Sequence, residues 1–143
     1  MRLQQLCEMD LRYTSPFKIV IPYGGDGSGW GIGEGSVKGE RLSGTAQWSN
    51  HPRRRGDGAM LPNARGVITA DDGAEIFFEL SGRTVWVERD RALRGAQLLM
   101  TLFESQAEAY TWLNNTVCMS EGKIDPSTLV LALRVFSCEN ELF

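Results

Sequence analysis

The stretch Trp30-Gly31-Ile32-Gly33-Glu34-Gly35-Ser36-Val37 decides the fold. Glycine takes every second position from Gly31 to Gly35, which is the period of a β-strand and not of a helix. On a strand, Gly31, Gly33 and Gly35 share one face, and Trp30, Ile32, Glu34 and Ser36 share the other. A glycine stripe inside a strand lets a second backbone or a ligand come close, or lets the sheet bend sharply. The two faces cannot both look inward. If the glycines face the interior, they make room there and Glu34 is a surface residue. If Glu34 faces inward, the glycines serve sheet curvature. A phosphate loop is disfavoured, because no Gly-Lys-Ser/Thr ending follows and no helix starts there to supply a dipole.

Period two continues on both sides of this stretch. Leu3, Gln5, Cys7, Met9, Leu11 and Tyr13 alternate with Gln4, Leu6, Glu8, Asp10, Arg12 and Thr14, which predicts a half-buried strand. Phe17 to Ile21 reads as a second strand, and Tyr23 to Gly29 as a glycine loop. Lys38-Gly39-Glu40-Arg41 reads as a hairpin turn into a strand from Leu42 to Trp48. Ser49 to Gly58 is polar, and Gly58 to Ala70 resumes as extended chain. Asp71-Asp72-Gly73 is a tight-turn signal. After it, Ala74, Ile76, Phe78 and Leu80 form one face of a strand, opposite Glu75, Phe77, Glu79 and Ser81. Val85 to Glu88 extends that pattern.

Leu93 to Glu104 fits helix or strand, and its neighbours favour a buried strand. Ser105 to Leu113 predicts one or two helical turns, with Ser105 and Glu108 spaced as a capping box. Asn115 to Met119 and Leu129 to Phe136 complete the strands. Many strands and turns without crossover helices predict an all-β chain, an antiparallel barrel or sandwich with one short helical segment.

The chain has 143 residues, which suits one domain. Hydrophobic residues at 42% and charged residues at 23% are globular values, so a disordered chain is not expected. Nine of the 16 glycines lie between Gly24 and Gly44, which again argues against helix. The net charge of −3 disfavours a general electrostatic grip on nucleic acid or an anionic membrane. Cys7, Cys118 and Cys138 are too few and too scattered for a disulfide framework or a zinc site, so they read as small buried residues in a reducing compartment. The amino terminus lacks the apolar core of a signal peptide, and no run approaches the roughly 18 apolar residues of a membrane span. A cytoplasmic protein is the expectation.

An ordered set of motifs then stands out: Gly39 to Gly44 in Gly-x-x-x-x-Gly spacing, Asp57-Gly58, Arg65, Thr69-x-Asp71-Asp72-Gly73-Ala74, Gly82, and Tyr110-x-Trp112-Leu113-Asn114. Together they resemble the DUF3237 (UPF0311) family, over about Leu3 to Phe136. The resemblance implies a single-domain antiparallel β-barrel of calycin-like appearance and carries no established activity. One departure is Asn63, where the family pattern usually has an acidic residue.

A small barrel fills its interior with side chains or holds one small ligand, so inward polar groups are the functional candidates. Glu34 among its glycines suits a general base, and His51 is the only side chain with an unperturbed pKa near neutrality. Arg65, within an extended run, suits bidentate binding of a carboxylate, enolate or phosphate oxygen, or else pairs with Glu75 or Glu79. Glu75 and Glu79 lie roughly 13 Å apart on a strand, too far for a shared-proton pair. A closed interior would raise the pKa of either, and Glu79 is taken as a ligand contact.

Asn114 suits donation to an oxyanion or a helix cap. Trp112 either plugs a barrel end or stacks on a ligand. Two function classes follow, beside a third in which the chain is purely a structural or subunit-interface protein. One is a cofactor-independent enzyme, an isomerase, cyclase or dehydratase acting on a small carbonyl metabolite. Its Glu34 or His51 moves protons, while Arg65 and Asn114 stabilise negative charge. The other is a non-catalytic barrel that grips a small apolar metabolite with Trp30, Phe77, Trp86 and Trp112. Either takes a small-molecule ligand, calls for no cofactor and no metal, and leaves a homo-oligomer open.

Overall fold

The strands predicted from period two form in the computed structural model, which describes residues 1–143. They are β1 (Arg2–Tyr13), β2 (Lys18–Tyr23), β3 (Asp26–Lys38), β4 (Gly44–Asn50), β5 (Arg53–Arg54), β6 (Met60–Leu61), β7 (Asn63–Ala70), β8 (Glu75–Arg89), β9 (Ala92–Glu104), β10 (Val117–Asp125) and β11 (Val130–Glu139). A 3-10 helix spans Glu108–Asn115 between β9 and β10. Every pairing is antiparallel. Eight strands close a ring in the order β1, β11, β10, β9, β8, β7, β4, β3 and back to β1. The remaining three are extensions at one end. β2 pairs with β3, while β5 and β6 bridge from β3 to β8.

The ring settles the orientation of β3. Gly27, Gly29, Gly31 and Gly33 are buried, while Trp30, Ile32 and Glu34 are exposed. The glycine face therefore looks inward. The space it provides is filled by the chain's own rings. A Cβ on Gly31 would lie 2.6 Å from Tyr13 Cε1, and one on Gly29 would lie 2.7 Å from Phe17 Cζ. A Cβ on Gly33 would lie 2.6 Å from Trp48 Cε2 and also against the Arg12 carbonyl oxygen. The stripe thus serves close approach of both side chains and backbone.

Eight strands make an interior just wide enough for side chains to fill it. One end is packed by Met9, Val37, Leu42, Ile68, Ile76, Phe78, Phe103 and Val135, all buried. The 3-10 helix lies against this end, with Leu113 fully buried and Tyr110 and Trp112 partly so. Tyr110 donates to Asp72 Oδ2 at 3.1 Å, which ties the helix to the β7–β8 turn. Farther along the interior, the hydroxyls of Thr101 and Ser120 bond to each other at 2.6 Å, so neither buried group is left unpaired.

Several local expectations need correction. The glycine loop expected over Tyr23 to Gly29 is only a turn at Gly24 and Gly25, both with positive φ, and β3 begins at Asp26. The β1 alternation holds for Cys7, Met9 and Leu11, but Leu3 and Gln5 are exposed. A register shift between Gln5 and Cys7 switches the face, as a bulge does. The polar segment Ser49 to Gly58 carries β5. The capping box does not form, because the N-cap is Ala107 and no side chain caps it. Ser105 instead donates its hydroxyl to the Glu75 carbonyl.

Burial pushes the Cys7 thiol up from 9.0 to about 12, with Cys118 and Glu8 adding to the effect. An unfolded cysteine ionises near its ordinary value, so the unfolded state loses its proton first. The stabilisation from keeping this thiol neutral is complete below pH 9 and is lost progressively as pH rises toward 12. Denaturant titrations at pH 8 and pH 10.5 should therefore show a drop that is smaller in Cys7→Ala. The limiting slope is about 1.4 kcal/mol per pH unit for one thiol. Identical pH slopes in the two proteins would remove Cys7 as the cause.

Candidate functional site

The end of the barrel opposite the helix is not filled. A cavity of about 210 Å³ lies there, between the inward faces of β1, β4, β8 and β9 and the β10–β11 turn. Its walls are Tyr13, Phe17, Ile19, Met60, Trp86, Ile124 and Leu129, with Pro52, Pro62 and Pro126 around them. The sequence builds this wall directly. Gly29 and Gly31 admit Phe17 and Tyr13, whose rings meet edge to face with centroids 5.2 Å apart. Gly95 pairs with Trp86 across β8–β9, and a Cβ there would lie 3.1 Å from Trp86 Cζ3. Trp86 donates its Nε1–H to the Gly58 carbonyl at 3.0 Å, which fixes the indole plane.

Four polar side chains share the lining: Tyr13, Asn50, Thr84 and Gln97. Asn50 Nδ2 donates to the Tyr13 hydroxyl at 2.9 Å, and Asn50 Oδ1 accepts the Asn63 backbone N–H at 3.0 Å. Burial raises the Tyr13 pKa above its ordinary value, and the Asn50 bond opposes this in part. Tyr13 therefore stays a neutral phenol at physiological pH. It accepts from Asn50 and keeps its own proton to donate.

Thr84 and Gln97 are directly opposed across β8–β9. Gln97 Nε2 donates to Thr84 Oγ1 at 3.0 Å, both side chains being buried. Gln97 Oε1 is buried with no hydrogen-bond partner. Leaving such a group unpaired costs about 1–3 kcal/mol. It is the one buried side-chain polar atom in the chain so placed.

Of the residues expected from sequence, Trp86 alone lines this cavity. Glu34 is on the outer face and pairs with Arg12. Arg65 is 73% exposed and sits 3.7 Å from Glu79, so both belong to the outer surface of β7 and β8. Of the two roles weighed for Arg65, pairing with Glu79 is the one found, and Arg65 is paired across the sheet with that residue. Trp30 and Phe77 are exposed on outward faces.

Trp112 packs at the helix end, where the Arg41 guanidinium lies 3.7 Å over its ring. Asn114 is also at that end, and its amide exchanges two bonds with the Ser105 backbone at 2.8 and 2.9 Å. It ties the last turn of the helix to the chain that leaves β9. His51 is exposed between Asn50 and Pro52, with its backbone N–H on the Asn63 carbonyl. It is not among the residues that line the cavity. The sequence reading missed Tyr13, Asn50, Thr84 and Gln97. The glycine stripe was the available signal, since the aromatic side chains that fill it also wall the cavity.

Other depressions lie outside the barrel. The larger one, about 780 Å³, is a trough over the outward residues of β1, β8, β9, β10 and β11, including Glu8, Asp10, Arg83, Glu121, Lys123 and Arg134. It is a charged outer surface. No three His, Cys, Asp or Glu residues gather in a group able to hold a metal ion. No helix is long and apolar enough to cross a membrane.

Fold and site define a small closed antiparallel β-barrel, plugged at one end and hollow at the other. The chain belongs to the family described as protein of unknown function, DUF3237, whose pattern matches residues 1–137. No curated protein matches the sequence. Among solved structures it is similar to a β-barrel-like protein from Acinetobacter baumannii AYE, with a TM-score of 0.85, 15% identity and 96% of each chain covered. It is similar also to a protein with unknown function from Clostridium acetobutylicum ATCC 824, with a TM-score of 0.84, 17% identity and 97% of each chain covered. A third is an enzyme from Penicillium herquei, with a TM-score of 0.71, 20% identity, and coverage of 94% of this chain and 93% of that one. At such identities these likenesses establish the shared fold.

Proposed function

We propose that this protein is a small-molecule barrel that takes a compact, largely apolar ligand in the cavity at its open end. The cavity carries the reading. An apolar cavity of about 150 Å³ is enough to hold benzene, and this one is about 210 Å³. Its lining pairs aromatic and aliphatic walls with a few polar groups, the usual composition of a ligand site. Tyr13 is the single ionisable side chain among the lining residues. That favours neutral ligands over anions or cations, because a buried charge without a partner is costly.

A titration with toluene followed by ¹H–¹⁵N spectra tests the reading. Shifts should concentrate at the Trp86 Nε1–H, the Gln97 side-chain amide and the Asn50 amide. They should vanish in Met60→Trp, which fills the cavity, and persist in Arg65→Ala and Glu34→Gln. Absent shifts, or shifts scattered over the outer surface, would refute the pocket.

A second reading is cofactor-independent catalysis at the same place, with Tyr13 as the hydrogen-bond donor. The neutral phenol, held by Asn50, is suited to polarising the carbonyl of a small ketone by donating a hydrogen bond to its oxygen. The neighbour described as an enzyme is compatible with it.

A further inference from the structure

We infer that Gln97 selects the ligand: the site takes a neutral ring compound bearing an N–H or O–H group, which donates to Gln97 Oε1. The inference rests on the cavity being the binding site and adds the chemistry that the ligand must present. Three observations carry it. First, Gln97 lines the cavity and is only 6% exposed. Second, its amide is already committed on one side, since Nε2 is held by Thr84 Oγ1 at 3.0 Å. Third, Oε1 has no partner in the protein. The two ends of a primary amide differ in kind, so holding the NH₂ end fixes an acceptor at the other. Trp86 is two residues beyond Thr84 on the same inward face of β8, which gives the ring an aromatic wall to lie against.

A buried acceptor of this kind discriminates sharply. A ligand with a donor at the right place satisfies it, and an isostere without one leaves it unpaired. The rest of the lining is satisfied internally or able to adapt. Thr84 is bonded to Gln97, and Asn50 is spent on Tyr13 and on the Asn63 backbone. Gln97 Oε1 is thus the one buried side-chain acceptor of the lining that has no partner at all.

Indole and benzofuran form the test pair, matched in size and shape and differing in the ring N–H. Calorimetric titration of the wild-type chain should give about tenfold tighter binding of indole. The Gln97 side-chain ¹⁵N resonance should shift with indole more than with benzofuran. Gln97→Met, close in volume and lacking a strong acceptor, should bind both equally, with its folding checked by thermal melting. Equal binding of the two probes by the wild type, or tighter binding of benzofuran, overturns the assignment while leaving the pocket in place. Failure of both probes to bind overturns the pocket reading and this inference with it. The wild-type comparison stands even if Gln97→Met does not fold.

Discussion

Gly33→Ala is expected to lower stability by about 3 kcal/mol, the upper part of the range for overpacking a filled interior. The reason is local and steric. The new methyl would meet the Arg12 carbonyl oxygen on β1 and Trp48 Cε2 at 2.6 Å on β4. Neither side can yield freely. The carbonyl belongs to the β1–β3 ladder, where Tyr13 is paired with Gly33, and the indole is held in the core. Gly56→Ala is the matched control, because its methyl would meet nothing closer than Asp26 Oδ1 at 3.5 Å. There the change should stay within about 0.5 kcal/mol. Urea denaturation of the two variants side by side measures the contrast. If Gly33→Ala is as mild as Gly56→Ala, the interior is looser than the packing implies, and the cavity wall with it.

This glycine also shows how far the sequence could be read. Period two announced nearly every strand, because alternation is imposed by having one face inside a barrel and one outside. Leu93 to Glu104, where helix and strand competed, forms β9 as the neighbouring strands suggested. The family that the motifs suggested is the one whose pattern matches, over residues 1–137. Turns were legible only where their chemistry was explicit. Asp71-Asp72-Gly73 turns the chain with Gly73 at positive φ. The β8–β9 hairpin instead turns through Asp90 and Arg91, both at positive φ without glycine.

The site was less legible for a physical reason. Charged residues such as Glu34 and Arg65 attract attention as reagents, yet on a strand their exposure depends on parity alone. A single residue of register decides between interior and solvent. The lining is built from Tyr13, Asn50, Thr84 and Gln97, contributed by four different strands. No local motif joins them, and only the closed ring brings them together.

Trp48→Ala should cost about 3–5 kcal/mol, the range for removing a large buried aromatic side chain. Trp48 is 6% exposed and occupies the space that Gly33 and Gly66 leave open. It meets the Tyr13 ring edge to face at 4.6 Å and donates Nε1–H to the Glu34 carbonyl at 3.2 Å. The loss is therefore packing first, with one hydrogen bond added. Trp48 does not line the cavity, but it supports Tyr13, which does. Trp48→Ala should accordingly weaken toluene binding as well as stability. Trp48→Phe, which keeps a ring against Tyr13, should lose about 1 kcal/mol of stability from the missing bond and leave binding near the wild-type value.

The two positions must also couple. In a Trp48→Leu background the Cε2 and Cζ2 atoms that oppose a Gly33 methyl are gone, so adding Gly33→Ala should cost less than it does in the wild type. It should not become free, because the Arg12 carbonyl still stands in the way. A double-mutant cycle measures this difference directly. A full, undiminished cost would assign the glycine to the β1 backbone alone. A vanishing cost would assign it to the indole, and β3 would then be conserving space for Trp48 and, through Tyr13, for the shape of the cavity.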